Sequence, residues 1–290
     1  MTFDLYSYRF VLQARDAISF PRFGPANLLR GAFGSALRKV ACVPQCPGLS
    51  GGRASECALQ STCAYARIFE PAGLRGPSGL ADPPRPFVLR VAHLAGRSVT
   101  PGEQFCFNVN FFDTRRPALD EFARAFTELA RADLISTACE PVAIPLGSDG
   151  SGASRLRLEF RTPTELKTTA DGNTLATTPE FAVLLGRARD RVSTLRALYG
   201  AGPLDVDFRA MGQRARSIKM TRCELNRAGG QRRSRRTGQV HGIGGFTGVA
   251  EYEGDLAEFL PILEAARWTG VGRHCVWGNG EILTRVILDA

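Results

Sequence analysis

Arg155-Leu156-Arg157-Leu158-Glu159-Phe160 alternates charged and apolar residues over six positions. A period of two sends the two kinds of side chain to opposite sides of a pleated strand, so the stretch predicts a strand with one buried face. It follows Gly147 to Ser154 (GSDGSGAS), small and polar throughout, which predicts a linker. Thr178-Pro179-Glu180 opens a helix to about Tyr199, with Pro179 suited to its first turn. Strands are expected near Ser217 to Leu225 and Gly245 to Tyr252. Gly254-Asp255 opens a helix to about Ala266, and Glu281 to Leu288 is the last strand. The order is βαββαβ.

The first half shows the same order. Leu5 to Leu12 reads as a strand and Asn27 to Val40 as a helix, with Leu28, Leu29, Phe33 and Leu37 on one face. A cysteine- and proline-rich excursion precedes strands at Phe87 to Val91 and Gln104 to Phe112. A second helix is expected over Ala118 to Ala132 and a short strand over Pro141 to Leu146. Two such units predict an α+β chain of two tandem ferredoxin-like (RRM-like) domains, 1–146 and 155–290, joined by the linker 147–154.

Hydrophobic content is 44% and charged content 22%, in the range of water-soluble globular proteins. No stretch approaches the roughly 20 apolar residues that span a bilayer. The N-terminus lacks the basic start and apolar core of a secretion signal. A cytoplasmic protein without a membrane partner is expected. Of the eight cysteines, Cys42, Cys46, Cys57 and Cys63 cluster with the spacing C-x3-C-x10-C-x5-C. In a reducing compartment such a cluster suits a structural zinc, although the spacing is looser than paired C-x2-C sites, and unligated thiols are the alternative.

The net charge is +9, and ten basic residues against one acidic residue, Glu224, lie between Arg209 and Arg236. Such clustering predicts an anionic partner, with RNA the best fit. The run leads into two glycine-rich segments, Gly242 to Gly248 and Gly270 to Gly280, where glycine lets a backbone approach a phosphate and arginine supplies forked donors. Expected RNA contacts are Arg214, Arg216, Lys219, Arg222, Arg232, Arg233, Arg235, Arg236, Gly270, Gly272, Arg273 and Gly278. Trp277 could stack on a base or be buried. Arg187, Arg189, Arg191 and Arg196 read as a solvated helix face, with insertion beside an RNA stem as the alternative.

Several segments resemble the CRISPR-associated repeat-processing endoribonucleases of the RAMP superfamily. They are Leu29-Arg30-Gly31-Ala32-Phe33-Gly34 with the cysteine cluster running into Cys63 to Pro71, Arg233 to Arg236 before Gly244 to Gly248, Tyr252 to Leu256, Phe259-Leu260-Pro261, and the Gly270 to Gly280 loop. The resemblance implies cleavage of a precursor CRISPR transcript at each repeat, often beside a stem-loop, without a catalytic metal. The 2′-OH attacks the adjacent phosphate, leaving a 2′,3′-cyclic phosphate and a 5′-OH. It also implies backbone amides of the glycine-rich loop facing phosphate, and other subunits of a CRISPR effector complex as partners. Many relatives place a histidine on or near the first helix, whereas here the matching turn reads Gly34-Ser35-Ala36-Leu37-Arg38. An arginine-dominated site is therefore expected, with Arg30, Arg38 and Arg22 stabilising charge and His241, in a loop, assisting. A non-catalytic RAMP-type crRNA-binding subunit is the alternative.

Overall fold

The computed structural model describes residues 1–42, 53–74, 83–147, 152–168, 174–233 and 240–287. The chain divides into two compact units. The N-terminal unit comprises Asp4–Val142 with Thr194–Pro203; the C-terminal unit comprises Met1–Phe3, Ala143–Ser193 and Leu204–Ala290. Residues 148–151 of the expected linker lie outside the described residues.

In the N-terminal unit the elements are β1 (Thr2–Ala14), β2 (Ile18–Ser19), α1 (Pro25–Ala41), α2 (Ala64–Ile68), β3 (Phe87–Arg90), β4 (Ser98–Val99), β5 (Gln104–Phe111), α3 (Leu119–Thr127) and β6 (Ala132–Pro145). The main sheet has the order β3-β5-β1-β6, with β1 antiparallel to β5 from Tyr6↔Phe111 to Gln13↔Gln104. The first strand of the unit thus lies between the last and the third, the ferredoxin-like arrangement.

Helix α1 forms because Pro25 fixes its first turn and the apolar side chains Ala26, Leu29, Phe33, Ala36 and Leu37 recur at helical spacing. That stripe buries against aromatic residues. Phe33 stacks on Phe122 at 4.4 Å between ring centroids, and Phe126 meets Phe10 edge-on at 4.6 Å. Tyr8, Phe87, Phe107 and Phe111 complete the layer, all fully buried.

Two N-terminal elements differ from expectation. Helix α3 ends at Thr127 rather than Ala132, because Glu128 and Leu129 turn back onto Ala125 and Phe126, and the Arg131 carbonyl accepts from Arg15 N at 2.8 Å. Strand β6 is fourteen residues long rather than a short piece after Pro141. It is an edge strand whose side chains from Asp133 to Ala143 are nearly all exposed, so no buried face marks it in the sequence.

In the C-terminal unit the elements are β7 (Arg155–Thr164), α4 (Phe181–Tyr199, of which residues from Thr194 on belong to the N-terminal unit), α5 (Phe208–Ala215), β8 (Lys219–Arg233), β9 (Val240–Glu253), α6 (Leu260–Thr269) and β10 (Ile282–Ile287). Sheet order β10-β7-β9-β8 repeats the N-terminal pattern. The alternation that opens β7 buries Leu156, Leu158 and Phe160 as expected, and Leu184, Ala188 and Val192 of α4 and Leu263 and Ala266 of α6 are buried too.

Here too there are differences. Helix α5 was not anticipated, though Asp207 caps it by accepting from Arg209 N at 2.9 Å and Ala210 N at 3.0 Å. Helix α6 begins at Leu260, after a turn at Leu256 to Phe259, rather than at Asp255. Strands β8 and β9 are far longer than expected and pair as one hairpin from Lys219↔Glu253 to Arg233↔Val240.

Candidate nucleic-acid interface

The β8–β9 hairpin carries much of the arginine run. From Thr221 to Gly229 every side chain of β8 except Leu225 and Ala228 is exposed, so the strand presents both faces to solvent. Arg216, Lys219 and Arg227 are exposed and carry no ion pair among the described residues. Arg214 instead forms a forked pair with Glu258 at 2.6 and 2.7 Å, and Arg222 pairs with Glu224 at 2.8 Å and Glu251 at 3.4 Å. These pairs are solvent-exposed, so a phosphate can compete for either guanidinium at little cost. Arg232 lies opposite His241, and Arg233 opposite Val240. His241 is therefore a strand residue rather than a loop residue. Its expected loop is taken up by cross-strand pairing. Arg235 and Arg236 lie outside the described residues.

The glycine-rich loop after α6 turns sharply. Gly270, Gly272, His274, Gly278 and Gly280 have φ of 74°, 82°, 63°, 83° and 73°. Two of these glycines answer to the protein's own backbone. A Cβ at Gly272 would stand 2.2 Å from the Glu165 carbonyl oxygen, and one at Gly280 would stand 2.1 Å from that of Val271. Six of the loop amides are engaged in the same way. Gly270 N donates to Ala266 O, Val271 N to Gly280 O, Arg273 N to Glu165 O, Trp277 N to His274 O, Gly278 N to Cys275 O and Gly280 N to Pro163 O. An amide that already has its acceptor is not offered to a phosphate. The amides of Gly270, Arg273 and Gly278, three of the expected contacts, are thus taken within the protein, and the loop presents side chains as well. Arg273 is exposed, and His274 stacks on Trp277 at 4.3 Å with the rings 5° apart.

The arginines of α4 fit neither sequence reading. Arg189 donates to Phe208 O at 2.7 Å, Arg191 to Thr269 O at 2.9 Å, and Arg196 to Gly202 O and Pro203 O. Arg187 pairs with Asp190 at 3.2 Å. They hold protein carbonyls and a carboxylate, so they are structural.

In the N-terminal unit, Arg30 and Arg38 do share a face of α1, but that face is covered. Arg30 is buried, its guanidinium 4.5 Å over the Phe69 ring. Arg38 lies 4.6 Å over the Tyr65 ring and donates to Tyr65 Oη at 2.8 Å and Glu70 Oε1 at 3.4 Å. Burial, then the Glu70 carboxylate, pushes the Tyr65 hydroxyl up to about 12. Arg22 differs: it is exposed, with its Cγ against the Gly96 turn. Ser35, where the resemblance would place a histidine, is exposed on α1 beside Gly31 and Ala32.

Cys42, Cys57 and Cys63 line one cavity of about 640 Å³ together with Asp120, Glu121 and Arg124 among other residues. Cys46 lies outside the described residues. Among the described residues no three cysteine, histidine or carboxylate side chains converge closely enough to hold a metal. No helix among the described residues is long and apolar enough to cross a membrane.

Two family models match the chain. That of the CRISPR-associated endoribonuclease Cas6 covers residues 158–282, and AF_1859_N, described as an N-terminal domain, covers residues 3–143. Among solved structures, Thermus thermophilus Cas6 (TTHB231) is similar at 15% identity and a TM-score of 0.57, over 98% of this chain and 99% of that one. A Cas6 (TTHB231) product complex matches at 16% identity and a TM-score of 0.58, over 97% and 100%. A Cas6 (TTHA0078) substrate mimic complex matches at 17% and 0.53, over 98% and 100%. At such identities the structures speak for the fold. No curated protein matches the chain. The basic hairpin and the glycine-rich loop both lie within residues 158–282, the stretch that the CRISPR-associated endoribonuclease Cas6 model matches, and the solved Cas6 structures share the fold of the two ferredoxin-like units.

Proposed function

We propose that the protein cleaves precursor CRISPR RNA within its repeats and retains the mature crRNA. The observation that carries this reading is an exposed basic hairpin, tied to a glycine-rich loop, inside a Cas6-family domain. In the reaction, O2′ bonds to phosphorus as the P–O5′ bond breaks. The 2′-OH loses its proton and O5′ gains one, leaving a 2′,3′-cyclic phosphate and a 5′-OH. The step asks for in-line alignment, proton transfer and stabilisation of extra negative charge on phosphorus. A guanidinium supplies the last without a metal. Arg22, exposed at the head of α1, is the arginine of the three best placed to touch a phosphate. Arg30 and Arg38 act from behind by fixing α1 and the segment packed on it. His241 stands opposite Arg232 on the hairpin.

Incubation with a stem-loop RNA of the CRISPR repeat from the source genome, in EDTA, tests the reading. Cleavage of the ribose substrate and survival of one with a 2′-deoxy at the scissile position are expected. Metal-dependent cutting, or cutting of the deoxy substrate, overturns the mechanism.

A second reading has its own observation. Ser35 replaces the histidine, and Arg30 and Arg38 are engaged within the protein. These favour a non-catalytic RAMP-type subunit that holds crRNA among the other subunits of a CRISPR effector complex. Tight binding of intact RNA in the same assay supports it.

A further inference from the structure

Glu165 follows β7 directly, beyond a register irregularity between Phe160 and Thr164, and its side chain is 7% exposed. A buried carboxylate is costly unless its oxygens are satisfied. Here both are. Oε1 accepts from Gly244 N of β9 at 2.9 Å, and Oε2 accepts from Arg273 Nη1 of the glycine-rich loop at 3.0 Å. The same residue's carbonyl accepts from Arg273 N at 3.0 Å, and His274 Nε2 lies 3.7 Å from Oε2. One acidic residue therefore ties the hairpin and the loop together at a single point.

Arg273 is held there by backbone and side chain at once, yet 43% of its side chain stays exposed. A guanidinium has five donors in a fixed fork. With one donor on Glu165, the others are oriented before any ligand arrives.

We infer that Glu165 is a positioning residue for RNA binding: it fixes Arg273 so that the outward edge of the guanidinium receives a backbone phosphate. This deepens the proposed function and rests on it. It also runs against simple electrostatics. A carboxylate near a phosphate site repels RNA, so its removal without a positioning role strengthens binding or leaves it unchanged.

The test is an affinity cycle on the full-length protein with the repeat stem-loop RNA. Glu165→Gln keeps size and an acceptor for Gly244 N but loses the charge that holds Arg273. Positioning predicts affinity about tenfold weaker for Glu165→Gln, the scale of one charged hydrogen bond. The double variant with Arg273→Ala should bind within about twofold of Arg273→Ala alone, since coupled residues are not additive. Unchanged or tighter binding by Glu165→Gln overturns the inference, as do additive losses in the double variant.

Arg273→Lys, at an exposed position, guards against misfolding of Glu165→Gln. A lysine keeps the charge but has no fork, so it should lose nearly as much affinity as alanine. Wild-type affinity for Arg273→Lys overturns the inference on its own. Wild-type protein that binds no repeat RNA removes this inference and the proposed function together. RNA bound but uncut removes only the nuclease reading, because affinity still reads the coupling.

Discussion

Arginines on the first helix and arginines on the β8–β9 hairpin are the same chemical group put to opposite uses. On α1, Arg30 and Arg38 lie against Phe69, Tyr65 and Glu70, so their charge is satisfied by the protein. Arg216, just before the hairpin, and Lys219 and Arg227 on its strand β8 face solvent with little apolar cover. Where a cation can reach an aromatic face and a carboxylate under cover, it becomes part of the core's rim. Where both strand faces are wet, it is available to a polyanion. Arg22 is the exception that joins the regions: on the first helix's threshold, yet exposed.

The comparison breaks most visibly at Arg22. Arg22→Ala should lower single-turnover cleavage by about 100-fold or more, the scale of one lost transition-state donor, with RNA affinity within about threefold. Equal losses in rate and affinity would return it to the binding surface. Next is the hairpin. Replacing Arg216, Lys219 and Arg227 together by alanine should reduce the slope of log affinity against log salt by about 2, at roughly 0.7 per neutralised single-strand phosphate. Alanine at Arg189, Arg191 and Arg196 should leave that slope alone.

Arg38→Ala should show itself in urea unfolding, costing about 1–2 kcal/mol for a part-buried charged hydrogen-bond pair. Normal stability with abolished cleavage would instead make Arg38 catalytic. The smallest effect is silent at neutral pH. Because the Tyr65 hydroxyl is pushed up to about 12 in the folded protein, mainly by burial, its contribution to stability is complete below the ordinary tyrosine value near 10. It is lost as pH rises towards about 12. Unfolding of wild type and Tyr65→Phe compared across that window should show the shallower decline in the variant. Parallel curves would mean that Tyr65 is not the titrating group.

What was legible in the sequence is what buries one face. The alternation at Leu156, Leu158 and Phe160 and the stripe of Leu29, Phe33 and Leu37 repeat at the period of their elements and are buried as expected, whereas Leu28, expected on the same face, is exposed. Strands β6 and β8 are wet on both faces, leaving no period to find. Helix α5 was readable from Asp207 before Met211 and Ala215, a capping residue ahead of two buried positions at helical spacing. The roles of the arginines were less accessible. Arg38 meets partners 27 and 32 residues away, and Arg273 meets one 108 residues away, distances at which composition says nothing. The cysteine cluster was half legible: three of its members share a cavity, without converging.

The loop between α6 and β10 has one more consequence. Gly272 and Gly280 fit their own backbone and six of the loop's amides have acceptors within the protein, so much of its shape is set without RNA. Association then freezes few backbone torsions there, and little conformational entropy is lost on binding. Under the proposed function, an RNA meeting this surface finds a template already shaped. On that reading, discrimination between RNAs falls more to how well each one fits Arg273 and the His274–Trp277 pair than to how far the loop can adapt.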